Sequence, residues 1–125
     1  MTHITTLRRL RELAKLEAGW DSYDASPITE VSIQATERLL ECLKNRSPDC
    51  TVPLSGGGVQ LEWSGPGGEI EVEIQASGQF GVLVSTGTEP DRKFSEADNM
   101  DLAAVVQNIN HVLGFEGMGA HEELK

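Results

Sequence analysis

Between residues 51 and 90 this chain has no lysine and no arginine, although the same stretch carries five glutamates. Other absences narrow the field as sharply. No run approaches the roughly 18 to 20 apolar residues that span a bilayer, and the Met1 end lacks the apolar core of a signal peptide, so a cytoplasmic protein is expected. Cysteine is represented only by Cys42 and Cys50, with neither a CxxC nor a metal-ligand spacing, which points to two reduced thiols. The net charge of −10 leaves no basic footprint for phosphate, which argues against direct contact with nucleic acid or an anionic membrane. A basic protein is the partner such a chain suits.

The charge is also unevenly spread. Residues 1–17 hold four basic against two acidic side chains, so the acidic pole lies in the middle of the chain. At 125 residues the sequence fits one domain with its own core. Residues 4–17 place Ile4, Leu7, Leu10, Leu13 and Ala14 at helical spacing, with Arg8, Arg9 and Arg11 largely elsewhere, and Gly19 is the expected stop. A second helix is expected from Thr29 or Ser26 to about Asn45, with Val31, Ala35, Leu39, Cys42 and Leu43 on its apolar face and Glu30 in its first turn.

From Cys50 the period changes to two. Cys50–Leu54 reads as a short edge piece because Pro53 cannot donate to a ladder. Val59, Leu61 and Trp63, then Ile70, Val72 and Ile74, then Phe80, Val82 and Val84 alternate with polar residues, as strands of a half-buried antiparallel sheet do. With Gly78 in a left-handed turn, Ile74 should face Phe80 and Val72 should face Val82. A turn through Gly65–Gly68 sets Trp63 opposite Ile70 and Glu62 opposite Glu71. Residues 86–95 read as polar and irregular. A last helix is expected from Ser95 or Asp98 on Leu102, Val105, Val106, Ile109, Val112 and Leu113, with Gly114 as its cap.

The fold expected is therefore an α+β domain over residues 1–114, with 115–125 a loosely held tail. It has two N-terminal helices, an antiparallel meander of three or four strands, and a C-terminal helix packed on one face of the sheet. Residues 80–85 are expected at an exposed edge, open to strand addition and to a homodimer.

Four carboxylates, Glu62, Glu69, Glu71 and Glu73, fall on the face opposite the apolar sets. Three uses compete for them: a solvated surface relieved by salt or by Arg8, Arg9 and Arg11, a docking face for a basic protein, and a divalent-metal site of hard oxygen ligands. The linker GWDSYDASP adds Trp20 and Tyr23, side chains typical of interface anchors, together with Asp21 and Asp24. Its local reading is a turn closed by Trp20 and by Asp21 or Ser22. GGG and GPGG are followed neither by Lys-Ser/Thr nor by a helix, and His3, His111 and His121 show no zinc spacing. No catalytic residue, cofactor or metal ligand is assigned.

GWDSYDASPIT before a helix, then GGVQLEW opening a Glu-alternating strand, resembles a widespread group of small bacterial and phage-borne proteins. These have a GWD-x-Y-x-A-x-P-like linker and a G-G-x-x-L-E-W-like strand. The resemblance covers roughly residues 5 to 113, implies a bacterial or phage setting and a helix, helix, meander, helix plan, and carries no catalytic residue across. The expected function is a non-catalytic acidic inhibitor, of the anti-defence, anti-CRISPR or antitoxin kind. It would dock on a basic surface of a nucleic-acid-handling enzyme through Glu62, Glu69, Glu71, Glu73, Trp20, Asp21, Tyr23 and Asp24. The rivals are a small metal-dependent hydrolase and a homo-oligomeric structural module.

Overall fold

The alternating stretches become three central strands, and their register follows from the side each apolar set must take. A computed structural model describes residues 3–44 and 46–114, so the expected tail at 115–125 lies outside the described residues. β2 (Val59–Gly65) pairs antiparallel with β3 (Gly68–Ile74), and β3 with β4 (Phe80–Thr86). Trp63 faces Ile70, Glu62 faces Glu71, Val72 faces Val82 and Ile74 faces Phe80, as the alternation requires. Gly78 takes the left-handed φ of 90° that lets its N–H close on the Gln75 carbonyl at 2.7 Å. The turn between β2 and β3 is tighter than expected, because Gly65 and Gly68 themselves pair.

Two further strands complete a sheet in the order β1-β2-β3-β4-β5. β1 (Cys50–Pro53) is the expected short edge. β5 (Lys93–Met100) corrects the sequence expectation twice. Residues 93–100 form a fifth strand, where an irregular stretch and then the start of a helix were expected. Consequently residues 80–85 are no edge: β4 is paired on both sides, and a homodimer by strand addition has no free backbone there. The signal was hidden because residues 93–99 are all exposed, so no apolar alternation marks the strand.

Helices cover one face of the sheet. α1 (Ile4–Leu13) ends short of Gly19, and Ile4 is exposed while Leu10 and Leu13 are buried. α2 (Glu30–Cys42) is capped by Thr29, whose hydroxyl accepts from Ser32 N–H at 3.1 Å and donates to the Ala76 carbonyl at 2.7 Å. The inward stripe of α2 differs from the expected one. Val31 is 50% exposed and Cys42 exposed, while Ile33, Ala35, Thr36, Leu39 and Leu40 are buried. Ser32 and Thr36 can face inward because their hydroxyls donate to backbone carbonyls of Gly57 and Ser32.

α3 (Leu102–Leu113) starts at Asp101 instead of Ser95 or Asp98, and ends at Gly114. Val105, Ile109 and Val112 pack with Leu61, Ile70, Val72 and Ile74 in one core. Gly65 lets this helix approach closely, since a Cβ there would lie 2.6 Å from the Val112 carbonyl. Trp63 is buried with its indole N–H donating to the Arg46 carbonyl at 3.1 Å. Among the described residues no helix is long and apolar enough to cross a membrane.

Candidate functional site

The strand alternation that buries Leu61, Trp63, Ile70, Val72 and Val82 turns the residues between them outward. Read across the register, Glu62 of β2 lies opposite Glu71 of β3, Glu71 opposite Leu83 of β4, and Leu83 opposite Glu96 of β5. A parallel row runs from Gln60 to Glu73 to Gly81. Asp98 closes that row: its carboxylate lies beside Gly81, 3.0 Å from where a Cβ would stand. A third row joins Ser64, Glu69, Ser85 and Phe94.

Gly81 carries no side chain, so the two acidic rows enclose a shallow depression of about 100 Å³. Its floor is Gly81, Val82 and Leu83, and its rim is Gln60, Glu71, Glu73, Glu96 and Asp98. Four carboxylates thus surround a small apolar patch. Glu96 and Asp98 were missed in the sequence because β5 itself was missed.

The partners of these acids are uneven. Glu62 accepts a hydrogen bond from the Gln60 amide at 2.9 Å, and Glu69 pairs with Arg92 at 2.7 Å. Arg92 also donates to the Ser85 hydroxyl at 2.9 Å, and its guanidinium lies 5.7 Å from the Phe94 ring centre. The side-chain carboxylates of Glu71, Glu73, Glu96 and Asp98 have no hydrogen-bond or ion-pair partner among the described residues. The helix-1 arginines expected to relieve the face do not reach it in any ion pair: Arg9 pairs with Glu12 at 3.6 Å and donates to the Thr51 carbonyl at 3.2 Å. Among the described residues the cation that pairs with a carboxylate of this face is Arg92, which meets Glu69 from just beyond the lysine- and arginine-free stretch.

In the linker the chemistry divides. Asp21 accepts from the backbone N–H groups of Tyr23 at 2.9 Å and Ala25 at 3.2 Å, a local Asx turn. Trp20 is half-buried and donates from its indole to the Ser26 carbonyl at 2.9 Å. Gly19 N–H bonds the Ala25 carbonyl at 2.7 Å, so Trp20 and Asp21 hold the loop closed. Tyr23, by contrast, is 82% exposed, and Asp24 is exposed beside it.

The structure anchors these outer residues through a contact the sequence does not display. Ser26 N–H bonds the Ser55 carbonyl at 2.7 Å and seats the linker on the loop between β1 and β2. An open groove lined by Asp21, Tyr23, Asp24 and Ser26 shares Ser55 and Gly56 with a second groove of about 510 Å³, and that one reaches Glu73. Tyr23 and Asp24 thus border one groove and Glu73 the other, with Ser55 and Gly56 of the 54–58 turn between them.

Among the described residues no group of three or more His, Cys, Asp or Glu side chains is placed to hold a metal ion. Rows on a flat sheet point outward side by side, whereas a metal needs its oxygens converging on one centre. Comparison with protein-family models, with curated proteins and with solved structures gives no match, and the functional reading rests on the chain's own geometry.

Proposed function

We propose that this protein is a non-catalytic binding module that docks its open acidic sheet face on a basic surface of a partner protein. The observation that carries this reading is the set Glu71, Glu73, Glu96 and Asp98, gathered around Gly81 and Leu83 on a face that no helix among the described residues covers. Directly opposed like charges cost a hairpin a few tenths to about 1 kcal/mol. Complementary potential across an interface repays such repulsion by speeding encounter and excluding wrong partners. Leu83 at the centre supplies the apolar spot that an acidic rim would surround in such an interface.

A surface that attracts such a face is one built to bind the phosphate backbone, because it presents clustered lysine and arginine. The module then acts as a competitive inhibitor of a nucleic-acid-handling enzyme. In a bacterial or phage setting this is the behaviour of an anti-defence, anti-CRISPR-like or antitoxin-like protein.

The test is retention of nucleic-acid-binding proteins on the immobilised chain at low and high salt, against a Glu71→Lys/Glu73→Lys/Glu96→Lys variant. Retention that falls with salt, is displaced by added nucleic acid and is lost in the variant supports the reading. The same proteins retained by both chains would return these carboxylates to ordinary solvated surface.

A further inference from the structure

The two edges of the sheet are treated differently. β1 is four residues long, contains Pro53, and has its Thr51 carbonyl engaged by the Arg9 side chain. These are the devices by which proteins blunt an edge. β5 is eight residues long, contains no proline, and is exposed over residues 93–99. Among the described residues it pairs only with β4, and no backbone bond outside the sheet involves Lys93–Met100. Its defences are the charges of Lys93, Glu96 and Asp98 and the irregularity opposite Gly81, near Asp98 and Asn99, and they leave the backbone of Lys93–Ala97 as a regular open ladder.

We infer that β5 accepts an extended, lysine- or arginine-bearing segment of the partner as a sixth strand, alternate side chains of which lie across the acidic face. The inference rests on the docking reading above and adds how the partner is held. On the outer side an added strand would run beside Phe94, Glu96 and Asp98, where opposite charges in neighbouring strands attract. On the other side it would pass Lys93, Ser95 and Ala97, which are small or polar and bring no apolar anchor. Specificity therefore falls on charge, and affinity on the main-chain ladder. A second copy of this chain is the poorer occupant. It would bring the carboxylates of Glu96 and Asp98 from two copies onto one joined face in molecules that each carry a net charge of −10.

The test uses the full chain and a peptide as long as β5 that alternates Lys with Val. A twin of the same sequence and charge carries N-methyl groups on its central amides along both edges. The plain peptide should bind, slow hydrogen exchange of the outward-facing β5 amides, and bind about tenfold or more tightly than the twin, as expected for two lost ladder hydrogen bonds. Glu96→Lys/Asp98→Lys should remove that binding. Equal, salt-sensitive binding of both peptides without protection of β5 overturns strand addition and leaves the docking reading standing. Binding of a folded basic nucleic-acid-binding protein alone, with neither peptide bound, does the same. Failure of all three overturns both. Concentration-dependent dimerisation that protects β5 without peptide assigns the edge to a second copy and overturns the inference.

Discussion

Arg92 does at one corner of the sheet what no other described residue does for the carboxylates around Gly81. With 28% of its side chain exposed, it joins Glu69, Ser85 and the face of Phe94, so one cation neutralises one carboxylate and covers an exposed ring. Replacing it should cost more than an exposed ion pair does, because Glu69 loses its partner and Phe94, already 65% exposed, loses its cover. Arg92→Ala is expected to lower stability by about 1 kcal/mol in urea denaturation, with Arg92→Lys recovering only part, since an ammonium cannot spread over the ring as a guanidinium does. Gly78 is a second position where one atom decides. Its φ of 90° disfavours any side chain, and an added Cβ would meet Val31 Cγ1 at 2.9 Å. Gly78→Ala should cost about 1 to 2 kcal/mol, the strain of a left-handed residue plus the displacement of Val31. A shift in the urea midpoint without a change in slope would place the effect in the native state.

Elements show where sequence reasoning reached and where it stopped. The register of β2, β3 and β4 could be read because each strand has one buried face, so a slip of one residue would bury Glu62, Glu71 or Glu73. Val31 was misplaced on α2 because Ser32 and Thr36, polar by type, are buried with hydroxyls satisfied by carbonyls, which turns the helix away from its most obvious stripe. β5 gave no sign of itself because residues 93–99 are exposed on both faces, and two of the four rim carboxylates went unseen with it. The seating of the Tyr23 linker on the 54–58 turn was equally hidden, since it depends on Ser26 meeting Ser55 across the fold. Helix α1 is held at its start by His3, whose ring Nδ1 lies 2.6 Å from the Ser47 hydroxyl. Burial pushes the imidazole pKa down from the usual 6.5, with the Leu40 backbone offsetting part of the shift. Below 6.5 the unfolded chain takes up the proton first. Stability from this residue is therefore full above 6.5 and drains as pH falls through the depressed native value. Between about pH 7.5 and about pH 5.5 the wild type should lose more stability than His3→Gln, which keeps a polar partner for Ser47 without a titrating ring. Equal losses in the two proteins would show that the proton is not felt at this contact.

At the scale of the molecule, the acidic sheet sets stability against binding. A net charge of −10 repels itself, and this face gathers like charges where Glu62 opposes Glu71 and where Glu73, Glu96 and Asp98 surround Gly81. Salt screens charges over about 8 Å at physiological ionic strength, a distance that spans neighbouring strands. Glu71 is the residue to change, because it stands in both settings: it faces Glu62 across β2 and lines the depression beside Glu96. Glu71→Gln keeps the shape and removes the charge. The variant should be more stable than the wild type by a few tenths to about 1 kcal/mol at low ionic strength, and the gain should shrink as salt is added. If the face is a docking surface, the same change should weaken partner binding in low salt and flatten its salt dependence. A gain in stability with unchanged binding would mean that the repulsion is borne for some reason other than this partner. A loss of stability would mean that Glu71 is already compensated, and that the open acidic face is quieter than its charges suggest.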